Sequence, residues 1–528
     1  MSYSWSQVTG GYRASFQVDF APGTFVYRVN PFMIQLNPLP ALTSDLAEFG
    51  DITSTNVIVV GKEDHFILAG AVTAFRSLTI FRAVYDTRRI IRIEMEQPDI
   101  HPDEKPEETV ILEGTDWREL LFQYADIAAQ KMGAKPISAE KNLTGYCSWY
   151  YYYKDVSEEH MLENIDALAK NRSPYAAEYV QIDDGYQTFQ GDWLDQCDEW
   201  PVPVREVAAK IISHGMKAGI WLMPTTASTQ SRIFREHPEW FVKNEQGIPV
   251  TQVAWGPDDQ WGCLDATIPE VREHIVNIFK TFYSWGFTYF KLDGLYFGLQ
   301  RGIRKDPGAT PVSAFRLLLK TIRDAVPDAM IMGCSEPLLP CVGLIDNGRV
   351  SNDTSRYFRA PNQPSNAPEL CNCSIIDAFH LSMANFWLFD RWFRADPDSM
   401  MVRQDNAYYT RNQAKISVLS GIMSGVALTS DHLGTINPDR NALLAKAQDI
   451  RMKNARPMRS IANQWPMEFE GTIDGKHAVA LINDTDTLKT WTLAELNLPE
   501  ICTDLLDEKK VIHEISIDPG DAVLLMEA

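Results

Sequence analysis

Tyr289-Phe290-Lys291-Leu292-Asp293-Gly294 reads as an apolar strand that stops on a carboxylate and a turn residue. Further on, Arg349-Val350-Ser351-Asn352-Asp353 ends the same way. A carboxylate at the C-terminal tip of a parallel strand is where a (β/α)₈ barrel keeps its functional side chains. The sequence on both sides has the matching rhythm. Leu143 to Trp149 is a strand, and Ser157 then caps a helix with Glu158 and Glu159 in its first turn and Met161, Ile165 and Leu168 on its apolar face. The strand Tyr179 to Asp183, a helix from Val204 to Ile212 that stops near Gly215, and the strand Ala218 to Leu222 follow. Pro269 opens a helix through Val271, Ile275, Ile278, Phe279 and Phe282 that Gly286 ends, just before the strand carrying Asp293. A helix from Val312 to Ala325 stops before Pro327, and Ala329–Cys334 and Gly348–Asn352 are the fifth and sixth strands. Phe386–Leu388 and Gly425–Thr429 are expected as the seventh and eighth. Such alternation gives an open doubly wound sheet or a barrel. No G-x-G-x-x-G or Walker motif follows the first strand, and acidic and aromatic residues crowd successive strand ends, so the barrel is favoured.

Outside this core the pattern is β. Phe25–Val29, Asn56–Val60, Phe66–Gly70 and Arg89–Met95 are short strand candidates, punctuated by Gly, Pro, Asn and Asp as in a sandwich. A helix over Asp116 to Lys131, with Leu120, Leu121, Tyr124 and Ile127 on one face, links this region to the core. His477–Ile482, Thr490–Leu493, Lys510–Ile512 and Ala522–Leu525 form a second all-β region. The expected organisation is therefore an N-terminal β-sandwich over 1–135, a (β/α)₈ barrel over 136–455 and a C-terminal antiparallel β domain over 456–528.

With 528 residues the chain is long enough for about three domains. A formal net charge of -21 argues against nucleic acid as a partner, and against an anionic membrane surface. Met1-Ser2-Tyr3-Ser4-Trp5-Ser6 has neither the basic nor the apolar region of a secretory signal, and no apolar run reaches membrane-spanning length. The eight cysteines are scattered, which leads to the expectation of a reduced, cytoplasmic protein. Cys371 and Cys373 make a C-x-C, but no second pair or His cluster completes a metal site, so no metal is expected.

The candidate chemistry sits at the strand ends. Paired carboxylates on neighbouring strands are what glycosidic bond cleavage requires. Side chains at i and i+2 of a strand share a face, so Lys291 and Asp293 both point into the barrel mouth, where the ammonium would keep the aspartate ionised. A structural salt bridge accounts for that spacing equally well. Asp183 and Asp184, followed by Gly185, are costly to bury unpaired and suit sugar hydroxyls as donors; an Asp-Gly turn is the plainer account. Trp149, Tyr150, Trp193 and Trp221 stand at the same end, where rings can stack on apolar sugar faces or simply pack. The run Tyr151–Tyr153 could instead line a subunit interface, and a homo-oligomer stays open. Arg349 either orients a carboxylate or binds a hydroxyl, and Asp353 either transfers a proton or forms an Asx turn. Asp396-Pro397-Asp398 and Ser430-Asp431-His432 fit a proline turn and a helix cap at least as well as a site, and Asp265 fits a helix start.

The ordered set Gly145-Tyr146-Cys147-Ser148-Trp149-Tyr150, Gln181-Ile182-Asp183-Asp184-Gly185-Tyr186-Gln187, Gly191-Asp192-Trp193-Leu194, Gly219-Ile220-Trp221, Lys291-Leu292-Asp293, Gly333-Cys334 and Arg349-Val350-Ser351-Asn352-Asp353 resembles glycoside hydrolase family 36, the bacterial α-galactosidases or melibiases, related to family 27 and to plant raffinose synthases. The likeness runs over about 140–435. It implies the three-domain architecture above and a retaining hydrolase of terminal α-galactosides that needs no metal or organic cofactor. In this likeness Asp293 is the nucleophile and Asp353 the acid/base. Asp183 and Asp184 hold the sugar 4- and 6-hydroxyls, and Lys291, Arg349, Trp221, Trp149 and Tyr150 complete the pocket. Cys334 lies near the sugar 2-position. The chain departs from the pattern at Glu336, where a small residue is common, and at Ala395, where Asn usually precedes Asp-Pro-Asp. The alternatives that stay open are an α-N-acetylgalactosaminidase or related α-glycosidase, galactosyl transfer to an acceptor sugar, and a sugar binder without turnover.

Overall fold

The computed structural model describes residues 3–20, 25–29, 36–39, 52–86, 89–137, 140–170, 175–198, 200–253, 260–362, 373–459 and 465–527. Cys371 of the C-x-C pair lies outside them. Among the described residues no helix is long and apolar enough to cross a membrane.

The centre of the molecule is a (β/α)₈ barrel. Its strands are β1 (Leu143–Cys147), β2 (Tyr179–Ile182), β3 (Lys217–Leu222), β4 (Phe287–Leu292), β5 (Met330–Gly333), β6 (Asn347–Arg349), β7 (Arg394–Asp396) and β8 (Val426–Thr429). Each pairs in parallel with the next in chain order from β1 to β7, and β8 pairs with β1. The ring closes just beyond β7, where the Met400 N–H donates to the Leu428 carbonyl at 2.6 Å. Leu143, Tyr179, Tyr289, Met332, Val426 and Leu428 fill the barrel interior below the mouth. Gly219 makes room for this layer, since a Cβ there would stand 2.8 Å from the Tyr289 ring.

The seventh strand corrects the sequence expectation. Phe386–Leu388 is a buried 3₁₀ turn, and the strand is Arg394-Ala395-Asp396. Phe386 is apolar because it packs edge-on against Trp117 and Phe122 outside the barrel. The true strand is short and carries charged residues into the mouth, so it lacks the apolar signature of a buried strand.

The N-terminal part is two five-stranded antiparallel sheets packed face to face, with Phe16, Val18 and Phe20 of one against Val26, Ile58, Val60 and Ile67 of the other. The strand Gly11–Phe20 alternates buried and exposed residues along most of its length. The other face of the second sheet is also buried, under the helix Trp117–Met132, which explains the unbroken apolar run Val57–Val60. That helix is capped by Asp116, whose carboxylate accepts the Arg118 N–H at 2.9 Å, and it ends on Gly133 at φ +74°. The C-terminal part is an eight-stranded sheet paired antiparallel throughout; its first strand, Lys453–Pro457, starts just before the boundary expected at 456.

Candidate active site

At the end of β4, Asp293 is partly exposed while Lys291, one strand repeat below, is buried. The Asp293 carboxylate accepts hydrogen bonds from its flanks. Trp221 Nε1 at the end of β3 donates to Oδ2 at 3.0 Å, the Gly294 N–H donates to Oδ1 at 2.6 Å, and the Ser335 hydroxyl approaches Oδ1 at 3.5 Å. Burial alone would raise this carboxyl. The charge of Lys291 and the donors Trp221, Cys334 and Gly294 override that, and hold it below the ordinary carboxylate range. Asp293 is therefore an ionised carboxylate, gripped from its flanks and partly exposed at the mouth, an arrangement that suits an oxygen nucleophile or base.

Lys291 does more for a different carboxylate. Its ammonium donates to Asp183 Oδ2 at 2.9 Å, at the end of β2. Desolvation would lower the lysine; the carboxylate charges, Asp183 foremost and then Asp293, outweigh it, so the ammonium is kept. Asp183 also accepts from the Gln181 amide and the Cys147 thiol on Oδ2 and from the Asp184 N–H on Oδ1, while its own N–H donates to Ser148 Oγ at 3.0 Å. Asp184 accepts from the Gln187 amide and lies 3.8 Å from Lys154 Nζ. Burial pushes Asp184 up to about 6 against Lys154 and Gln187, with Asp183 and Asp293 adding to the rise. The adjacent acids are thus a pair set by burial and by cross-strand donors rather than a free Asp-Gly turn.

On the opposite wall, Arg349 at the end of β6 is buried and serves three carboxylates. Nη1 donates to Asp353 Oδ1 at 2.9 Å, Nη2 lies 2.8 Å from Asp398 Oδ1, and Nε lies 3.8 Å from Asp396 Oδ2. Desolvation would lower the guanidinium, and the surrounding acids, Asp398 foremost, raise it instead. Asp353 is half exposed, with 53% of its side chain accessible. An acid that reaches solvent at the rim while held by a buried cation can exchange protons with a bound substrate or with water.

The aromatic residues frame the same mouth. Trp221 and Trp193 are buried edge to face, with ring centroids 5.7 Å apart. Trp149 is half-buried and meets the exposed Tyr153 edge-on at 5.3 Å. The buried Tyr150 donates its hydroxyl to Asp398 and so braces the acid wall. Tyr152 stacks on His160 at 4.2 Å and Tyr151 donates to Asp405 at 2.7 Å. Cys334 is buried at the end of β5 with its thiol on Asp293, where burial and that carboxylate keep it protonated.

Other expectations resolve plainly. Asp265 accepts from the Thr267 N–H and hydroxyl and from the Lys305 N–H, as a helix start would. Asp431 is wholly buried on Arg403 at 3.2 Å and on the N–H groups of Val402 and Arg403. Glu336 is buried on the outer face of the barrel wall, against Gly348 and Gly333, not in the mouth with Cys334. Gln181, Gln187, Cys147 and Ser148 are the site residues that spacing did not single out; all belong to the two strand-end motifs that carried Asp183 and Trp149. Among the described residues no group of His, Cys, Asp and Glu is arranged to hold a metal ion.

Residues 136–299 match the Melibiase family model. Probable alpha-galactosidase G from Aspergillus terreus is 24% identical over 210 residues, which cover 36% of this chain and 27% of that protein. The alpha-galactosidase TtGalA from Thermus thermophilus, in complex with p-nitrophenyl alpha-D-galactopyranoside, superposes with a TM-score of 0.70 at 21% identity, over 90% of this chain and 95% of that one. A variant of the family 36 alpha-galactosidase AgaA from Geobacillus stearothermophilus, in complex with raffinose, superposes with a TM-score of 0.64 at 13% identity, over 98% of this chain and 78% of that one. The likeness to the solved structures carries the fold, while the chain spans about a quarter of the length of the curated relative from Aspergillus terreus.

Proposed function

We propose that the chain is a retaining exo-α-galactosidase of glycoside hydrolase family 36. One observation carries the reading: Asp293 is held ionised and open to the mouth at the end of β4, while Asp353, clasped by the buried Arg349, reaches solvent at the end of β6. The match to the Melibiase model over 136–299 supports the substrate class, because it includes the motifs of Asp183, Asp184, Trp221 and Asp293. Family 36 is supported by the superposition on AgaA, which extends over the N-terminal sandwich as well as the barrel.

The reaction follows from the two walls. Asp293 attacks the anomeric carbon as Asp353 gives its proton to the departing glycosidic oxygen. Asp353 then removes a proton from water, which opens the galactosyl ester and regenerates Asp293. This requires the two carboxyls about 5–5.5 Å apart in the working complex. Asp183 and Asp184 accept from sugar hydroxyls, with Lys291 bonded to Asp183 and its charge acting on Asp293. None of these steps calls on a metal or organic cofactor.

Proton NMR of a fresh hydrolysate of p-nitrophenyl α-galactoside is expected to show α-galactose first; β-galactose first overturns retention. Asp293→Gly is expected to abolish hydrolysis, and added azide to yield β-galactosyl azide. Persisting hydrolysis in that variant overturns the assignment of Asp293. A panel of nitrophenyl α-glycosides separates galactose from N-acetylgalactosamine and other sugars, and products at high acceptor concentration reveal transfer. Binding without turnover on the whole panel favours a sugar binder. A cytoplasmic location and a homo-oligomer belong to the same proposal, to be read by fractionation and light scattering.

A further inference from the structure

Asp398 is left unused by the reaction above. It is buried and lies in the left-handed region at φ +76°, a conformation a non-glycine residue keeps only where its surroundings hold it. What holds it is a set of contacts on both carboxylate oxygens. Oδ1 faces Arg349 Nη2 at 2.8 Å and accepts the Ser399 N–H at 2.7 Å. Oδ2 accepts the Thr354 N–H at 2.8 Å and the Tyr150 hydroxyl. Two of these partners lead to the same place. Arg349 donates through its other arm to Asp353 Oδ1, and Thr354 is the residue after Asp353. The first contact fixes the Asp353 carboxyl, and the second fixes the backbone from which it springs.

We infer that Asp398 is a positioning residue for the proton transfer by Asp353, acting through Arg349 and the Thr354 peptide. The inference rests on the function proposed above. An exposed aspartate has several rotamers, and a proton donor displaced by an ångström loses much of its effect. Asp396 contributes to the clamp from below, with Oδ1 accepting the Asp398 N–H at 2.9 Å. The charged and titratable groups that face Asp398 are Arg349 from β6, Asp353 beyond it, Asp396 from β7, Tyr150 after β1 and Cys373. Asn at position 398 has one acceptor oxygen where Asp has two, so it cannot serve both Arg349 and the Thr354 N–H, and one of the two holds on Asp353 is released.

The test uses the full chain and a series of α-galactosides whose leaving groups need progressively more protonation: 2,4-dinitrophenyl, 4-nitrophenyl and methyl. Asp398→Asn is expected to lower kcat/KM about 10²-fold on the methyl galactoside but only about 3-fold on the dinitrophenyl one. Galactose binding is expected to be retained. If Asp398→Asn does not fold, as judged by loss of the wild-type thermal transition, Arg349→Lys cuts the same bridge and is expected to give the same leaving-group dependence. A loss equal for all leaving groups overturns the inference while the function reading stands. A wild type silent on all three galactosides overturns the function reading, and this inference with it.

Discussion

Glu336 has its carboxyl in a dry place. Both of its oxygens are buried with no hydrogen bond from another of the described residues, and the space they occupy exists because residue 348 is Gly: a Cβ there would come 2.4 Å from Glu336 Oε1. Burial pushes this carboxyl up to about 8; its own N–H and the charge of Arg349 pull it down, and Asp396 and Asp293 push it up. Between the ordinary range near 4.5 and 8 the folded chain therefore keeps a proton that the unfolded chain releases. Stability is full below that window and falls as pH rises through it, by on the order of 4 kcal/mol from this group. Glu336→Gln removes the titration. Its urea midpoint is expected to gain on that of the wild type as pH goes from 5 to 8, and a difference constant with pH would refute this account. The position of Glu336 was not legible in the sequence, because only the fold shows that Gly348 faces outward while Asn347 and Arg349 face the interior. Lys291 has the same lesson: the K-x-D spacing gave its direction, but Asp183, far away in sequence, takes its hydrogen bond.

The elements were legible wherever local pattern and tertiary role agreed. The helix Trp117–Met132 has an Asp cap, a Gly stop and one apolar face, and all three can be read in order. β4 is apolar until it reaches the mouth, so its end marks the site. β7 was hidden because a three-residue strand of the mouth, Arg394-Ala395-Asp396, looks like a loop, while the apolar turn at Phe386 looks like a strand. What pattern could not give is how an element is tied to its neighbours. Arg118, at the second position of the linking helix, grips its own cap Asp116 and donates to the carbonyls of Pro457 at 2.8 Å and Met458 at 2.7 Å. It thereby joins the helix start to the first strand of the C-terminal sheet. Arg118→Ala leaves those carbonyls without this donor and is expected to cost about 1–3 kcal/mol in urea unfolding. Asp116→Asn keeps a capping oxygen and is expected to cost less. Equal losses in the two variants would show that the cap, not the tie to 457–458, dominates.

At the scale of the whole molecule, one buried core runs from Tyr27 and Val59 of the sandwich through Trp117 and Tyr124 of the linking helix to Trp387 and Trp392 beside the barrel, and on to Phe469 and Leu524 of the C-terminal sheet. Two β regions flanking a barrel could be read from the sequence, but not that the three parts share a core, since that depends on both faces of the second N-terminal sheet being covered. The seam has a polar pin. The Tyr27 hydroxyl donates to the Ala384 carbonyl at 2.9 Å and accepts the Trp387 indole N–H at 2.6 Å, and all three lie out of solvent. In Tyr27→Phe the ring still fits, but a buried indole N–H and a carbonyl lose their partner, which costs about 1–3 kcal/mol. If sandwich and barrel share one core, the whole molecule bears this cost. The expected calorimetric result is a single unfolding transition in the wild type and a single, lower one in Tyr27→Phe. If the variant instead shows two transitions, with the upper one unmoved, the sandwich is an independent unit. The site at the barrel mouth would then owe its stability to the barrel alone.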